Sequence, residues 1–147
     1  MTNRPRSLLR AATFAALCAM AAGPSFAAPP EGMVTINYNR CDARYNWGLH
    51  IFQRGPGGPA VPGVSWANPM DPTGSNDFGA YWNVKLADFP EGKVNYIIHR
   101  GDNKDQGGKD MQFDGNAVKE IWVNSGDPAI YTSMDEAKKA REAQPCK

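Results

Sequence analysis

The sequence has 147 residues, with 16 Lys and Arg against 15 Asp and Glu, and it contains no block of basic residues. This length is enough for one domain with one hydrophobic core. A chain so evenly charged lacks the basic surface that attracts nucleic acids and anionic membranes, so neither is an expected partner.

Residues 1–27 are predicted to be a signal peptide. Three arginines precede a short apolar run at residues 11–23, and Ser25-Phe-Ala27 offers the small residues that a signal peptidase recognises. The apolar run is too short to anchor the chain in a bilayer. We therefore expect a secreted or periplasmic monomer that begins at Ala28, carries a net charge of about −2 and no longer contacts the membrane.

Export would place the remaining cysteines in an oxidising compartment. With Cys18 in the leader, the mature chain keeps Cys41 and Cys146, an even pair that could form a disulfide and close nearly the whole domain into a loop. Two free thiols are the alternative.

Alternating apolar residues predict six or seven short strands after a polar lead-in at residues 28–32. In chain order these strands are 33–39, 47–52, 78–86, 94–99, 118–123 and a short last one at 129–131. Segments rich in Pro, Gly or charged residues, at 54–63, 68–76 and 102–110, are predicted to be loops between them. Short strands separated by turns indicate an all-β fold, an immunoglobulin-like antiparallel β-sandwich over residues 33–132.

A short helix and tail are predicted at residues 133–147. Ser133 and Glu136 have the spacing of a capping box, and Pro145 would stop the helix.

The strand at 47–52 would present two different faces. Trp47, Leu49 and Ile51 alternate with Gly48, His50 and Phe52. The aliphatic neighbours of Trp47 favour a place in the core, which leaves His50 and Phe52 as the expected exposed pair. Rings two residues apart lie roughly 7 Å from each other along a strand, about the footprint of a sugar ring. Whether Trp47 or the His50/Phe52 face is the platform stays open.

The other tryptophans divide in the same way. Trp82 and Trp122 belong to apolar alternating strands and are predicted to be core residues, whereas Trp66 flanks two loops and could be a rim residue or a packing lid. Lys104 and Asp105, adjacent in a polar loop, supply a donor and an acceptor that could hold the hydroxyls of a sugar.

No catalytic or metal-binding pattern is recognised. His50 and His99 lie on separate strands, and the aspartates between residues 102 and 114 lack the order of a calcium loop. Glycoside hydrolysis needs two carboxylates across a cleft, which a sandwich of this size rarely forms. We expect no enzyme activity, no cofactor and no metal; a small glycoside hydrolase is the remaining enzymatic alternative.

Four segments together resemble the pullulanase-associated carbohydrate-binding module, family 41. They are Asn46-Trp-Gly-Leu-His50, Asp77-Phe-Gly-Ala-Tyr81, Ile97-Ile-His-Arg-Gly-Asp102 with Lys104-Asp105, and Gly126-Asp-Pro-Ala-Ile-Tyr-Thr-Ser133. The resemblance implies a β-sandwich that binds α-glucans such as amylose, pullulan or glycogen fragments. It implies aromatic rings on the strand at 47–52 as the sugar platform, and a Lys and an Asp matching Lys104 and Asp105.

The sequence departs from this family at two points. Many members carry tryptophan where this chain has His50 and Phe52, and members usually precede a large catalytic domain, whereas this chain ends at Lys147. We therefore expect an exported, non-catalytic α-glucan-binding module that stands alone. The alternative is a β-sandwich interaction module whose sugar site has decayed and which binds a protein partner.

Overall fold

The computed structural model describes residues 27–42 and 46–146. The predicted signal peptide lies outside these residues, except for Ala27. Within the described ranges, no helix combines the length and the apolar character needed to cross a membrane.

Eight strands form two sheets packed face to face. They are β1 (Met33–Asn39), β2 (Gly48–Phe52), β3 (Gly74–Ser75), β4 (Ala80–Lys85), β5 (Lys93–Arg100), β6 (Asn103–Lys104), β7 (Met111–Asp114) and β8 (Glu120–Asn124). The first sheet has the order β3-β4-β1-β8, and in the second sheet β2, β6 and β7 all pair with β5. Among the described strands β1 and β8 alone are parallel, so one pair departs from the antiparallel pattern within the predicted sandwich.

The core lies between the two sheets because apolar residues occupy every second position of the long strands. The two largest strands of the first sheet contribute Val34, Ile36, Tyr38, Ala80, Trp82 and Val84, and the second sheet contributes Leu49, Ile51, Val94, Tyr96 and Ile98. Trp82 is fully buried, and its Nε1 donates a hydrogen bond to the Met70 carbonyl at 3.1 Å.

Trp47 belongs to this core, with 9% of its surface exposed. The guanidinium carbons of Arg40 and Arg100 lie 4.2 and 5.4 Å from its ring centroid, close enough for cation–π attraction. The prediction that Trp47 is a core residue is confirmed, and the alternative that Trp47 forms an exposed platform is wrong.

The structure differs from the predicted elements in four places. Two short strands, β3 and β6, lie inside the predicted loops at 68–76 and 102–110. Residues 111–114 form β7 in a segment for which no element was predicted, because only Met111 and Phe113 alternate with polar residues there. The predicted strand at 129–131 is wrong: Tyr131 makes a single bridge with Trp122. The carboxylate of Asp127 accepts a hydrogen bond from the backbone N–H of Ala129 at 2.9 Å, and this local turn replaces strand pairing.

The predicted helix is present as α1 (Met134–Ala143). The Ser133 hydroxyl accepts a hydrogen bond from the backbone N–H of Glu136 at 3.2 Å, which satisfies one of the free donors at the helix start. Ala137 packs with Phe78 and Trp122 in a small apolar cluster. Trp122 is therefore buried as predicted, but it lies beneath α1 on the outer face of the first sheet and not between the sheets.

A disulfide joins Cys41, just after β1, to Cys146, beyond the end of α1. The loop that it closes spans 105 residues, so on the chain-entropy model it stabilises the fold by about 5 kcal/mol. Arg141 supports the same corner, because its Nη2 donates to the Ser125 carbonyl at 3.0 Å. The disulfide therefore ties the end of α1 to the end of β1.

We expect thiol titration of the unreduced, denatured protein to find no free thiol in the mature chain. Reduction should lower the thermal midpoint, and Cys146→Ser should lower it without reductant. Two titratable thiols, or a midpoint that does not change on reduction, would contradict this prediction.

Candidate functional site

The outer face of the second sheet carries the side chains that the core does not use. In the antiparallel pair β2–β5, Gly48 lies opposite His99, His50 opposite Ile97 and Phe52 opposite Asn95. Paired residues share a face, and the neighbouring pairs that include Leu49 and Ile51 point into the core. His50 and Phe52 therefore lie on the face away from the core, as their alternation predicts.

Four rings form an aromatic cluster on this face: His50, Phe52, Trp66 and His99. The His50 and Phe52 rings are stacked with centroids 5.8 Å apart. Trp66 stacks on His99 with centroids 3.9 Å apart and an angle of 8° between the ring planes. The His50 and Trp66 rings form a T-shaped pair with centroids 5.5 Å apart, so the four rings are continuous.

Trp66 reaches the cluster because its loop is fixed to β2. The backbone of Met70 exchanges hydrogen bonds with Leu49 at 2.9 and 3.0 Å. Pro69 lies directly on Gly48, where a Cβ atom would come within 2.3 Å of the proline ring, so only glycine fits at that position. The indole Nε1 of Trp66 donates to Asp102 Oδ1 at 3.2 Å. Trp66 covers His99, which is 1% exposed. Trp66 is itself half-buried, so it is both a packing lid over His99 and a rim residue at the surface.

The prediction that Phe52 is exposed is wrong, because its exposed fraction is 3%. The Pro/Gly loop after β2 turns back along the edge of that strand, where Ala60 forms a bridge with Phe52 and the backbone N–H of Val61 donates to Ile51 O at 3.1 Å. Covering an open strand edge in this way is common in β proteins. Phe52 supports His50 from below, and the rings that reach solvent are His50 and Trp66.

Lys104 lies beside these rings. It is opposite His99 in the β5–β6 register, and its Nζ is 5.8 Å from the Trp66 ring centroid. The same Nζ donates to Asp110 Oδ1 at 2.8 Å, and both side chains are only partly exposed. A cation, a carboxylate and two rings thus share one surface.

Asp105 lies away from this surface. Its carboxylate accepts hydrogen bonds from the Tyr38 hydroxyl and, at 2.7 Å, from the backbone N–H groups of Gln106 and Gly126. Arg40 Nη1 lies 3.4 Å from the same carboxylate. Burial, and then the adjacent Asp105, raises the pKa of the Tyr38 phenol. The predicted Lys104/Asp105 pair is therefore divided: Lys104 lies at the aromatic cluster, and Asp105 ties its loop to β1 and to the turn after β8.

Sequence reasoning did not identify Trp66 and Asp110 as partners of His50 and Lys104. Trp66 stands between two turn-rich segments without any periodicity, and Asp110 lies one residue before the unrecognised strand β7. Lys104 ends β6 and Asp105 follows it with extended backbone, and adjacent residues in extended backbone point to opposite sides. The sequence predicted a loop at 102–110, so this divergence was visible only in the structure.

Protonation of His50 is disfavoured in the folded protein. Partial burial, and then the neighbouring His99, lowers the pKa of His50, and Lys104 lowers it slightly further, while the backbone of Ser65 and the carboxylate of Asp110 raise it by smaller amounts. The unfolded chain therefore binds this proton more tightly. Stability that is fully present above the ordinary histidine pKa of about 6.5 is lost as the pH falls from that value toward the lowered pKa.

We expect the thermal midpoint to fall between pH 7.5 and pH 5.5, and to fall less in His50→Phe, which keeps a ring but cannot take up a proton. Melting curves of both proteins at the two pH values measure the difference. An equal decrease in the two proteins would show that His50 is not the responsible group.

The sandwich that carries this site corresponds to a known family of domains. Residues 32–132 match the model of the bacterial pullanase-associated domain. The chain belongs to this family. The match covers the whole sandwich, including both sheets and the loops that carry the aromatic cluster.

Individual relatives agree with this assignment. An alpha-amylase of Streptomyces lividans is 32% identical over 83 residues, which cover 56% of this chain and 8% of that protein. The structure described as α-glucan recognition by family 41 carbohydrate-binding modules from streptococcal virulence factors has a TM-score of 0.59 at 24% identity, covering 76% of this chain and 52% of that one. The Klebsiella pneumoniae pullulanase complexed with maltotriose has a TM-score of 0.62 at 22% identity, covering 82% of this chain and 12% of that one.

These solved structures share the fold of this chain. The chain spans about half of the streptococcal structure and a much smaller part of the two enzymes. Within the described residues, no group of three or more His, Cys, Asp or Glu side chains is placed to hold a metal ion.

Proposed function

We propose that this protein is an exported, non-catalytic α-glucan-binding module, and that the aromatic cluster with Lys104 and Asp110 is its sugar site. The observation that carries the proposal is the position of Trp66, a half-buried indole held beside His50 and next to an ion pair. Membership of the pullanase-associated family supports it, as does the shared fold with streptococcal modules whose structure is described as recognising α-glucan.

The chemistry of the site suits a neutral sugar. The apolar C–H face of a glucose ring would stack on the indole of Trp66 and the imidazole of His50. Lys104 would donate to a sugar hydroxyl while Asp110 accepts from another, and charge-assisted hydrogen bonds of this kind are stronger than those between neutral groups. Because Lys104 and Asp110 already hold each other at 2.8 Å, they are oriented before the ligand arrives.

The site is shallow and offers two accessible rings, since Phe52 is covered. We therefore expect a dissociation constant on the order of 10 μM to 1 mM, or about −7 to −4 kcal/mol. In the proposed mode the protein holds the chain and performs no hydrolysis, because the carboxylate of Asp110 is paired with Lys104 on an open surface, whereas glycoside hydrolysis needs two carboxylates across a cleft.

Retention of the purified mature chain on immobilised amylose or glycogen, with cellulose as a negative control, tests the proposal. Lys104→Met should weaken retention with little change in the thermal midpoint, because a surface ion pair contributes about 0–1 kcal/mol to stability. Lys109→Met, in the same exposed loop, is the matched control and should bind like the original protein. Equal retention on cellulose, or none on either α-glucan, would overturn the proposal in favour of an interaction module.

A further inference from the structure

Among residues 27–42 and 46–146, the outer face of the first sheet is covered at one end, by α1. The cluster of Phe78, Trp122 and Ala137 lies under α1, at the ends of β1 and β8 where the chain turns toward the disulfide. The opposite end of the same face is a cleft of about 320 Å³. Its floor is formed by Thr35, Asn37, Tyr81, Asn83 and Glu120, and residues 27–30 and 75–76 complete the lining.

The floor of the cleft is a hydrogen-bonded network across three strands. Thr35 Oγ1 donates to Asn83 Oδ1 at 2.8 Å, and Asn37 Nδ2 donates to Glu120 Oε1 at 2.9 Å. Asn76 closes the network by donating to Asn37 Oδ1 at 2.8 Å. Asn37 is 0% exposed. Asparagine is disfavoured in strands, so the presence of Asn37 on β1 and Asn83 on β4 on the same face indicates a constraint beyond strand formation.

The network leaves several groups open to a ligand. Within residues 27–42 and 46–146, the Nδ2 of Asn83, the hydroxyl of Tyr81 and the second carboxylate oxygen of Glu120 have no hydrogen-bond partner. These groups provide donors, an acceptor and a hydroxyl that can do both. The half-buried Tyr81 ring adds an aromatic surface beside them.

This combination favours a neutral, hydroxyl-rich ligand. Glu120 is the one charged side chain in the lining, and in the mature chain that begins at Ala28 the α-amino group of Ala28 adds one positive charge, so the lining has no net charge to attract a simple ion. A multivalent cation would find one carboxylate where it needs several. The volume is at the lower end of the range of ligand pockets, which suits a short stretch of a chain.

We infer that this cleft is a second α-glucan-binding site, on the sheet opposite the aromatic cluster. The choice of ligand rests on the proposed function. Two sheets in a sandwich lie about 10 Å apart, so the two sites face away from each other across the core. One domain would then hold two glucan chains and link them.

Titration of the isotopically labelled protein with maltoheptaose, followed by NMR, tests this inference without any substitution. We expect shifts of the side-chain amides of Asn37 and Asn83 as well as of the Trp66 indole N–H. Shifts of the indole alone would overturn the second site and leave the proposed function intact. Shifts of the amides alone would support the cleft and overturn the aromatic cluster as the sugar site, and no shifts would overturn both.

Cross-linking provides an independent measurement. The wild-type protein should raise the light scattering of a glycogen solution and bind two maltoheptaose molecules in calorimetric titration. Tyr81→Ala should abolish the scattering increase and reduce the stoichiometry to one, whereas Tyr81→Phe, which keeps the ring, should still bind two. A stoichiometry of one in the wild-type protein, or of two in a folded Tyr81→Ala, would overturn the inference. If Tyr81→Ala does not fold, the NMR result on the wild-type protein decides.

Discussion

Replacing Asp105 with alanine is expected to lower the free energy of unfolding by about 3–5 kcal/mol, the usual cost of breaking a buried ion pair. The carboxylate satisfies the Tyr38 hydroxyl and two backbone N–H groups, and it faces Arg40, so its removal leaves several buried polar groups without a partner. In a domain of this size the thermal midpoint should fall by more than 10 °C. Chemical denaturation followed by tryptophan fluorescence measures the change.

Two variants separate the structural role of Asp105 from a role in binding. Asp105→Asn keeps an acceptor oxygen but no charge, so it should lose less stability than the alanine variant. Lys104→Met changes the neighbouring residue and should melt close to the wild type. At a temperature where Asp105→Ala is folded, its affinity for maltoheptaose should stay within a few-fold of wild type. If Asp105→Ala melts like the wild type but is no longer retained on α-glucan, Asp105 contacts the ligand instead.

The sandwich could be predicted because a half-buried sheet imposes a period of two on its sequence. Strand β1 was predicted with its observed limits, since alternation continues without interruption from Met33 to Asn39. The helix could be predicted equally well, because its signals, Ser133, Glu136 and Pro145, act locally through groups only a few residues apart. Both signals depend on neighbours in the chain and need no knowledge of tertiary contacts.

The candidate site depends on contacts that no local pattern specifies. Alternation correctly predicted that His50 and Phe52 lie on the outer face of their sheet. The exposed fraction of a side chain, however, depends on which other segments pack over that face. The returning loop covers Phe52, and another loop brings Trp66 onto His99 from 33 residues away along the chain. The close fit of Pro69 on Gly48 is likewise visible only in the folded chain.

Trp66 should therefore be the residue on which sugar binding depends most. Trp66→Ala removes the larger of the two accessible rings and is expected to weaken maltoheptaose binding by about 2 kcal/mol, roughly thirty-fold. Trp66→Phe keeps a ring but loses the hydrogen bond to Asp102, so its affinity should fall only a few-fold. Calorimetric titration below the melting range of each variant gives the comparison.

Phe52→Ala provides the contrast that identifies which ring meets the ligand. Because Phe52 is buried beneath His50, its truncation should cost about 3 kcal/mol of stability and should affect binding only through the position of His50. Trp66→Ala should show the opposite balance, because Trp66 is half-buried and packs against surface side chains of the aromatic cluster and not in the core between the sheets. If Phe52→Ala keeps its thermal midpoint and loses binding while Trp66→Ala binds normally, the platform is the strand pair His50 and Phe52, and Trp66 is only a lid.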